Sequence, residues 1–138
     1  MNLLSIPFLR RLAPLGPLFL RLCVGFVMAA HGWSKYSGGV ENVAGFFGTL
    51  GIPQAPIMAW VVTVVELVGG VCIMFGLLTR FWALLFAGVM VTVILVAKGI
   101  AVPSEYEFEL ALLGGALALA FGGPGGAALD RMLGIERS

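Results

Sequence analysis

The sequence predicts an all-α, polytopic membrane protein: a four-helix bundle with both termini in the cytoplasm and a short amphipathic helix in the first external connection. Three observations predict it. Of the 138 residues 60% are hydrophobic and 11% charged, where a soluble domain averages about 45–50% and about 25%; the mean hydropathy is +1.07. Apolar runs of roughly membrane-spanning length recur along the chain, and the remaining charge is too thin to cover a watery surface. Finally, four spans would place Arg10, Arg11, Arg80, Arg131 and Arg137 on one side and Lys35 and Lys98 on the other. The positive-inside rule then puts the arginine side, with both termini, in the cytoplasm.

Bulk properties also exclude classes. Eight scattered Lys and Arg, with a net charge of +1, give no basic face for nucleic acid. Cys23 and Cys72 stand apart without a CxxC pair and read as small buried hydrophobes. A single histidine excludes a bis-histidine haem, and two isolated thiols do not make an iron–sulfur site. No intrinsic cofactor and no metal site are therefore expected. At the start, Arg10 and Arg11 follow apolar residues and no small-x-small cleavage site comes after, so the segment reads as retained, with the first span as its insertion signal.

Residues 1–138 read as a single domain with spans at about 12–32, 57–78, 81–98 and 107–121. The first, LAPLGPLFLRLCVGFVMAAHG, holds Pro14 and Pro17 in its first turns, where missing donors are tolerated. It carries Arg21 and ends at Trp33 and Tyr36, rings suited to a lipid–water boundary. In the connection that follows, Val43, Phe46, Phe47 and Leu50 repeat at helical spacing between Gly38–Gly39 and Pro53. That pattern predicts the short surface helix, a candidate lid.

The second span organises the chain, because Glu66 is the carboxylate near its centre. A lipid-facing charge there would cost about 2.5–3.5 kcal/mol, so Glu66 is expected to face inward beside Gly69 and Gly70. LLTRFW makes a tight hairpin into the third span, whose Thr92 is expected to bond its own i−4 carbonyl. Ser104 and Glu107 read as a capping box for the fourth span. Glu109 lies one turn inside that span, before Gly114 and Gly115. Gly69, Gly70, Gly76, Gly114 and Gly115 are the expected close-packing positions.

Two charged sets need partners. Arg21 and Glu66 are expected to form a buried charge network that either fixes helix packing or handles protons. His31, Lys35, Lys98 and Glu109 form an outer polar cluster, with His31 and Lys35 four apart on one helix face. No catalytic residue is assigned; His31, Glu66 and Glu109 are the candidates because imidazole and carboxylate exchange protons.

The stretches RLCVGFVMAAHGWSKY, LGIP, ELVGGVCIMFGLLTRFWAL and GPGGAALD together resemble the DoxX family of small four-helix bacterial integral membrane proteins, from about Arg21 to Asp130. The resemblance maps onto Arg21, His31, Gly32, Lys35, Glu66, Gly69, Gly70, Gly76, Thr79 and Arg80, and onto Gly122, Pro124, Gly125 and Asp130 in the tail. Gly126 and Ala127 depart from it, where a basic or aromatic residue is common. The family includes a subunit of an archaeal thiosulfate:quinone oxidoreductase and relatives linked to thiol and oxidative-stress systems. The resemblance implies a redox-associated protein of the cell inner membrane that binds quinone or another small apolar molecule and works with a partner oxidoreductase. The alternative is a membrane scaffold or assembly factor without catalysis, and a small-solute transporter is a third reading. Membrane lipids, a redox partner protein and a second copy of the chain are the candidate partners.

Overall fold

The computed structural model describes residues 6–136, so Arg137 of the charge tally lies outside the described residues. A short α1 (Pro7–Arg11) leads into α2 (Leu15–Ser37), then α3 (Val40–Thr49) and α4 (Ala55–Phe75). Next come α5 (Thr79–Thr92), continued by a π-helical turn (Val93–Lys98), a 3-10 turn (Pro103–Glu105), α6 (Glu107–Gly122) and α7 (Leu129–Met132). Turn chemistry sets these boundaries. Gly76 closes α4 in the left-handed region (φ 70), with its N–H donating to Ile73 O and that of Leu77 to Cys72 O, a glycine-terminated helix end. Thr92 Oγ1 donates to Gly88 O at 2.9 Å, the expected i−4 bond. The expected capping box does not form: Ser104 lies in the 3-10 turn and Tyr106 occupies the N-cap of α6.

Three of the described helices are long and apolar enough to cross a membrane: Leu15–Ser37, Ala55–Phe75 and Thr79–Lys98. This corrects the expected four-helix, four-span bundle. The fourth predicted span is α6, with 16 residues and with Glu107 and Glu109 in its first turn. At about 1.5 Å per residue it is roughly 24 Å long, short of a hydrocarbon core of about 30 Å. The argument that put both termini on one face needed an even number of spans, and it falls with the fourth.

What the helices form is an all-α multi-helix bundle. Its core contains Val24 and Met28 of α2, Ile73 of α4, Phe86 and Met90 of α5, and Ala116 and Leu119 of α6. Large apolar side chains such as Phe19, Phe26, Trp60, Leu84 and Leu95 point outward, as a surface against lipid requires. Backbones of α2 and α4 approach closely where one or both carry glycine. A Cβ added at Gly25 would lie 2.7 Å from Gly70 O, and one added at Gly32 would run into the Leu67 backbone. Gly69 faces the Trp82 ring and Gly115 faces Val24 and Leu20. Gly114 corrects the expected packing set: nothing lies within 4 Å of a Cβ built there, because one residue of rotation turns it away from the face Gly115 presents.

These contacts separate two glycines of similar appearance in sequence. Gly32→Ala is expected to force α2 from α4 and lower the thermal midpoint in detergent by several degrees. Gly114→Ala should leave it unchanged or slightly raised; equal losses in the two variants would refute the packing assignment.

Candidate functional site

The antiparallel register of α2 and α4 decides which charges meet. Arg21, 2% exposed, lies beside the last turn of α4 and donates from Nε to Met74 O at 3.3 Å. Its other bonds go to the loop after α6: Nη1 to Pro124 O at 2.9 Å and Gly126 O at 3.0 Å, and Nη2 to Ala127 O at 2.7 Å. The expected Arg21–Glu66 network is therefore corrected. Arg21 faces Met74, eight residues beyond Glu66, which is roughly 12 Å along a helix. A planar fork of donors can satisfy several carbonyls at once, and here it does so in place of a carboxylate.

The same end of the bundle is tied from the other side by Asp130, 2% exposed. Its carboxylate accepts from Leu78 N at 2.6 Å and Thr79 N at 2.9 Å, while its own N–H donates to Gly76 O at 2.8 Å. Asp130 thus caps the start of α5 from a distant part of the chain, satisfying donors that a helix start leaves free. Gly76, expected as a packing glycine, lies between the two anchors: a Cβ there would meet Ala128 and Arg21.

Glu66, 3% exposed, takes its partner from the far end of α2: Lys35 Nζ lies 2.6 Å from Oε2. Glu109 pairs with Lys98 at 2.8 Å, and Lys98, at the end of the π turn, also donates to Glu105 O at 2.9 Å. Both inward glutamates therefore have an ammonium partner, which compensates their charge in a low-dielectric site. Glu109 Oε2 is buried without a hydrogen-bond partner. The His31 ring lies 5.8 Å from that of Phe108.

These groups converge. His31 and Lys35 of α2, Glu66 of α4 and Glu109 of α6 line one cavity of about 150 Å³, walled by Met28, Phe86, Met90, Val93, Phe108 and Leu112. Two spans and α6 thus bring the three proton-exchanging candidates into one space; Lys98 joins through Glu109, and Arg21 belongs to the opposite end. Among the described residues no group of His, Cys, Asp and Glu is placed to hold a metal ion. Sequence reasoning missed Asp130 as a cap and Phe108 as a wall. The position of Phe108 beside Glu109 was a signal for the second; the first rests on a fold-level contact.

A family model described as DoxX matches residues 16–99. The chain belongs to the DoxX family. That match contains Arg21, His31, Lys35 and Glu66, whereas Glu109 and Asp130 lie beyond it. This DoxX chain is 38% identical over 118 residues to "Putative oxidoreductase CatD" of Bacillus subtilis, covering 84% of this chain and 85% of that one. It is 31% identical over 129 residues to "Inner membrane protein YqjF" of Escherichia coli, covering 91% and 97%. It is also 33% identical over 128 residues to "Uncharacterized membrane protein Rv3486" of Mycobacterium tuberculosis, covering 83% and 78%. No solved structure matches the chain. Family membership and the spanning helices agree with the expected location, a multi-pass protein of the inner membrane.

Two outcomes test the anchored end of this DoxX fold. Arg21→Lys keeps the charge but cannot reach the carbonyls of Met74, Pro124, Gly126 and Ala127 together. It should cost about 3 kcal/mol and open residues 122–130 to protease in detergent; wild-type resistance would refute the anchoring role. Outside the spans, Glu136 accepts from Nε of Arg80, at the start of α5, at 3.0 and 3.1 Å, and that hydrogen bond holds the Glu136 carboxyl below its usual range. Because the folded value is the lower one, this contact contributes above the unfolded carboxyl's pKa and is lost as pH falls through the folded value. Proteolysis of the tail should therefore rise below about pH 4, and Glu136→Gln should remove that acid-dependent rise.

Proposed function

We propose that this chain is a redox-associated membrane protein that binds a small ring-bearing apolar molecule, quinone in kind, and works with a partner oxidoreductase. The observation that carries the reading is the cavity between Glu66 and His31, with Glu109 Oε2 left unpartnered beside it. Its volume of about 150 Å³ is that of an engineered apolar cavity that takes up benzene, so one six-membered ring is a sensible occupant. The walls are mostly apolar, and a few convergent polar groups can set the orientation, as small-molecule sites generally require. DoxX membership and a relative named as an oxidoreductase support the redox association.

The chain's own chemistry here is proton handling. Oxidising a dihydroxy ring to the quinone releases two protons and two electrons. In this reading the electrons leave to the partner oxidoreductase, and the protons leave through Glu109, Glu66 and His31. Glu109 Oε2 accepts a hydrogen bond from one ring hydroxyl, and Lys98 compensates the charge of that carboxylate. Lys35 does the same for Glu66, while Met28, Phe86 and Phe108 exclude water from the ring.

The test is binding of duroquinone, a single-ring quinone, and its reduced form, durohydroquinone, to the purified protein in nanodiscs. A carboxylate can accept from a hydroxyl but not from a quinone carbonyl. Glu109→Gln should therefore weaken durohydroquinone binding by about tenfold, the scale of one hydrogen bond to a charged group, and leave duroquinone within about twofold. Failure of both forms to bind the wild-type protein would overturn the reading.

A further inference from the structure

A second cavity lies directly beside the first. It is about 720 Å³, runs under α3 between α4 and α5, and is lined chiefly by apolar side chains, among them Val43, Phe46 and Phe47 of α3, Val62 of α4 and Val89 of α5. Lys35, Glu66 and Val93 line both cavities. The ion pair and the first residue of the π turn are thus the wall between a ring-sized polar space and a long apolar cleft. Lys35 is a movable part of that wall: its side chain is 25% exposed, and a lysine ammonium rides on a flexible four-carbon stem. Val93 opens a π turn, a wide helical turn found often at functional sites.

We infer that the cleft under α3 holds the aliphatic tail of a ring-headed membrane lipid whose ring occupies the neighbouring cavity. This rests on the ring-binding reading above and names its substrate class as a tail-bearing molecule rather than a free aromatic. Charge selects the tail of such a lipid over that of a phospholipid. At the polar end of the cleft the ammonium of Lys35 is already matched by Glu66, so a phosphate headgroup would meet a carboxylate with no spare cation beside it. A neutral ring passing that wall meets no such penalty. The apolar cleft then shields the tail, while α3 covers it as a lid.

Gly88 supplies the test. It lines the cleft, and nothing lies within 4 Å of a Cβ built there, so Gly88→Leu has room for its first carbon, adds bulk to the cleft wall and is a better helix former. Leu84→Phe, on the outward face of the same helix, is the control. The measurement is the affinity of wild type and both variants in nanodiscs for decylubiquinone and for the same benzoquinone ring without the decyl tail, each expressed per lipid. Wild type should bind the tailed probe at least about tenfold more tightly, as burial of a few methylenes allows. Gly88→Leu should abolish that advantage and leave the tail-less ring within about twofold, and Leu84→Phe should change neither. If the ring binds and the tail adds nothing, or if Gly88→Leu weakens both probes equally or neither, the cleft inference falls and the ring site stands. A Gly88→Leu change of oligomeric state in native mass spectrometry would assign the cleft to a second copy and overturn it. If neither probe binds wild type, both readings fall together.

Discussion

Buried charge must be compensated where it lies, and in this bundle the compensation of Arg21 governs the rest. Its guanidinium could have drawn a carboxylate into the interior. It is surrounded instead by backbone carbonyls from the end of α4 and from the glycine-rich loop after α6. Those carbonyls hold most of the loop in place, and the loop delivers Asp130 to the start of α5. One end of the bundle is thereby fixed without using either inward glutamate. Glu66 and Glu109 remain for the other end, where each meets a lysine.

This division of labour explains why the bundle can be rigid at one end and chemically open at the other. The arginine end is close-packed: Gly76 and Gly125 occupy positions where a Cβ would strike Ala128 or Pro17. At the lysine end, side chains from α2, α4, α5 and α6 surround space instead of filling it. The π turn contributes to that opening by ending α5 in a wider coil, which carries Lys98 toward Glu109. Packing this loose is costly in a core, so its coincidence with four ionisable side chains is the main physical support for a binding site there.

Much of this was legible in the sequence, and what was not failed for identifiable reasons. Apolar runs located every long helix, and the tight hairpin between α4 and α5 followed from its few polar residues. The structure brings His31, Lys35 and Glu109 to one cavity, where the C-terminal end of α2 meets the N-terminal end of α6. Arg21 and Glu66 were paired wrongly because both lie inside apolar runs, where opposite charges invite pairing, and because a backbone carbonyl leaves no trace in a sequence. The fourth span was overcounted for a related reason. Hydrophobicity continues through α6, but helix length is set by where the turns fall, at Tyr106 and Gly123.

By itself the sequence determined that the chain is helical, that it belongs in a membrane, and that a charge in the middle of an apolar run, such as Glu66, must face inward, because all three follow from local composition and the cost of charge in lipid. Only the tertiary structure decided which charges meet. Pairing depends on the sliding register of α2 against α4, set by Gly25, Gly32 and Gly70 where the backbones touch. A shift of two turns separates Met74 from Glu66, and that shift sends the central carboxylate to Lys35 and the arginine to the tail.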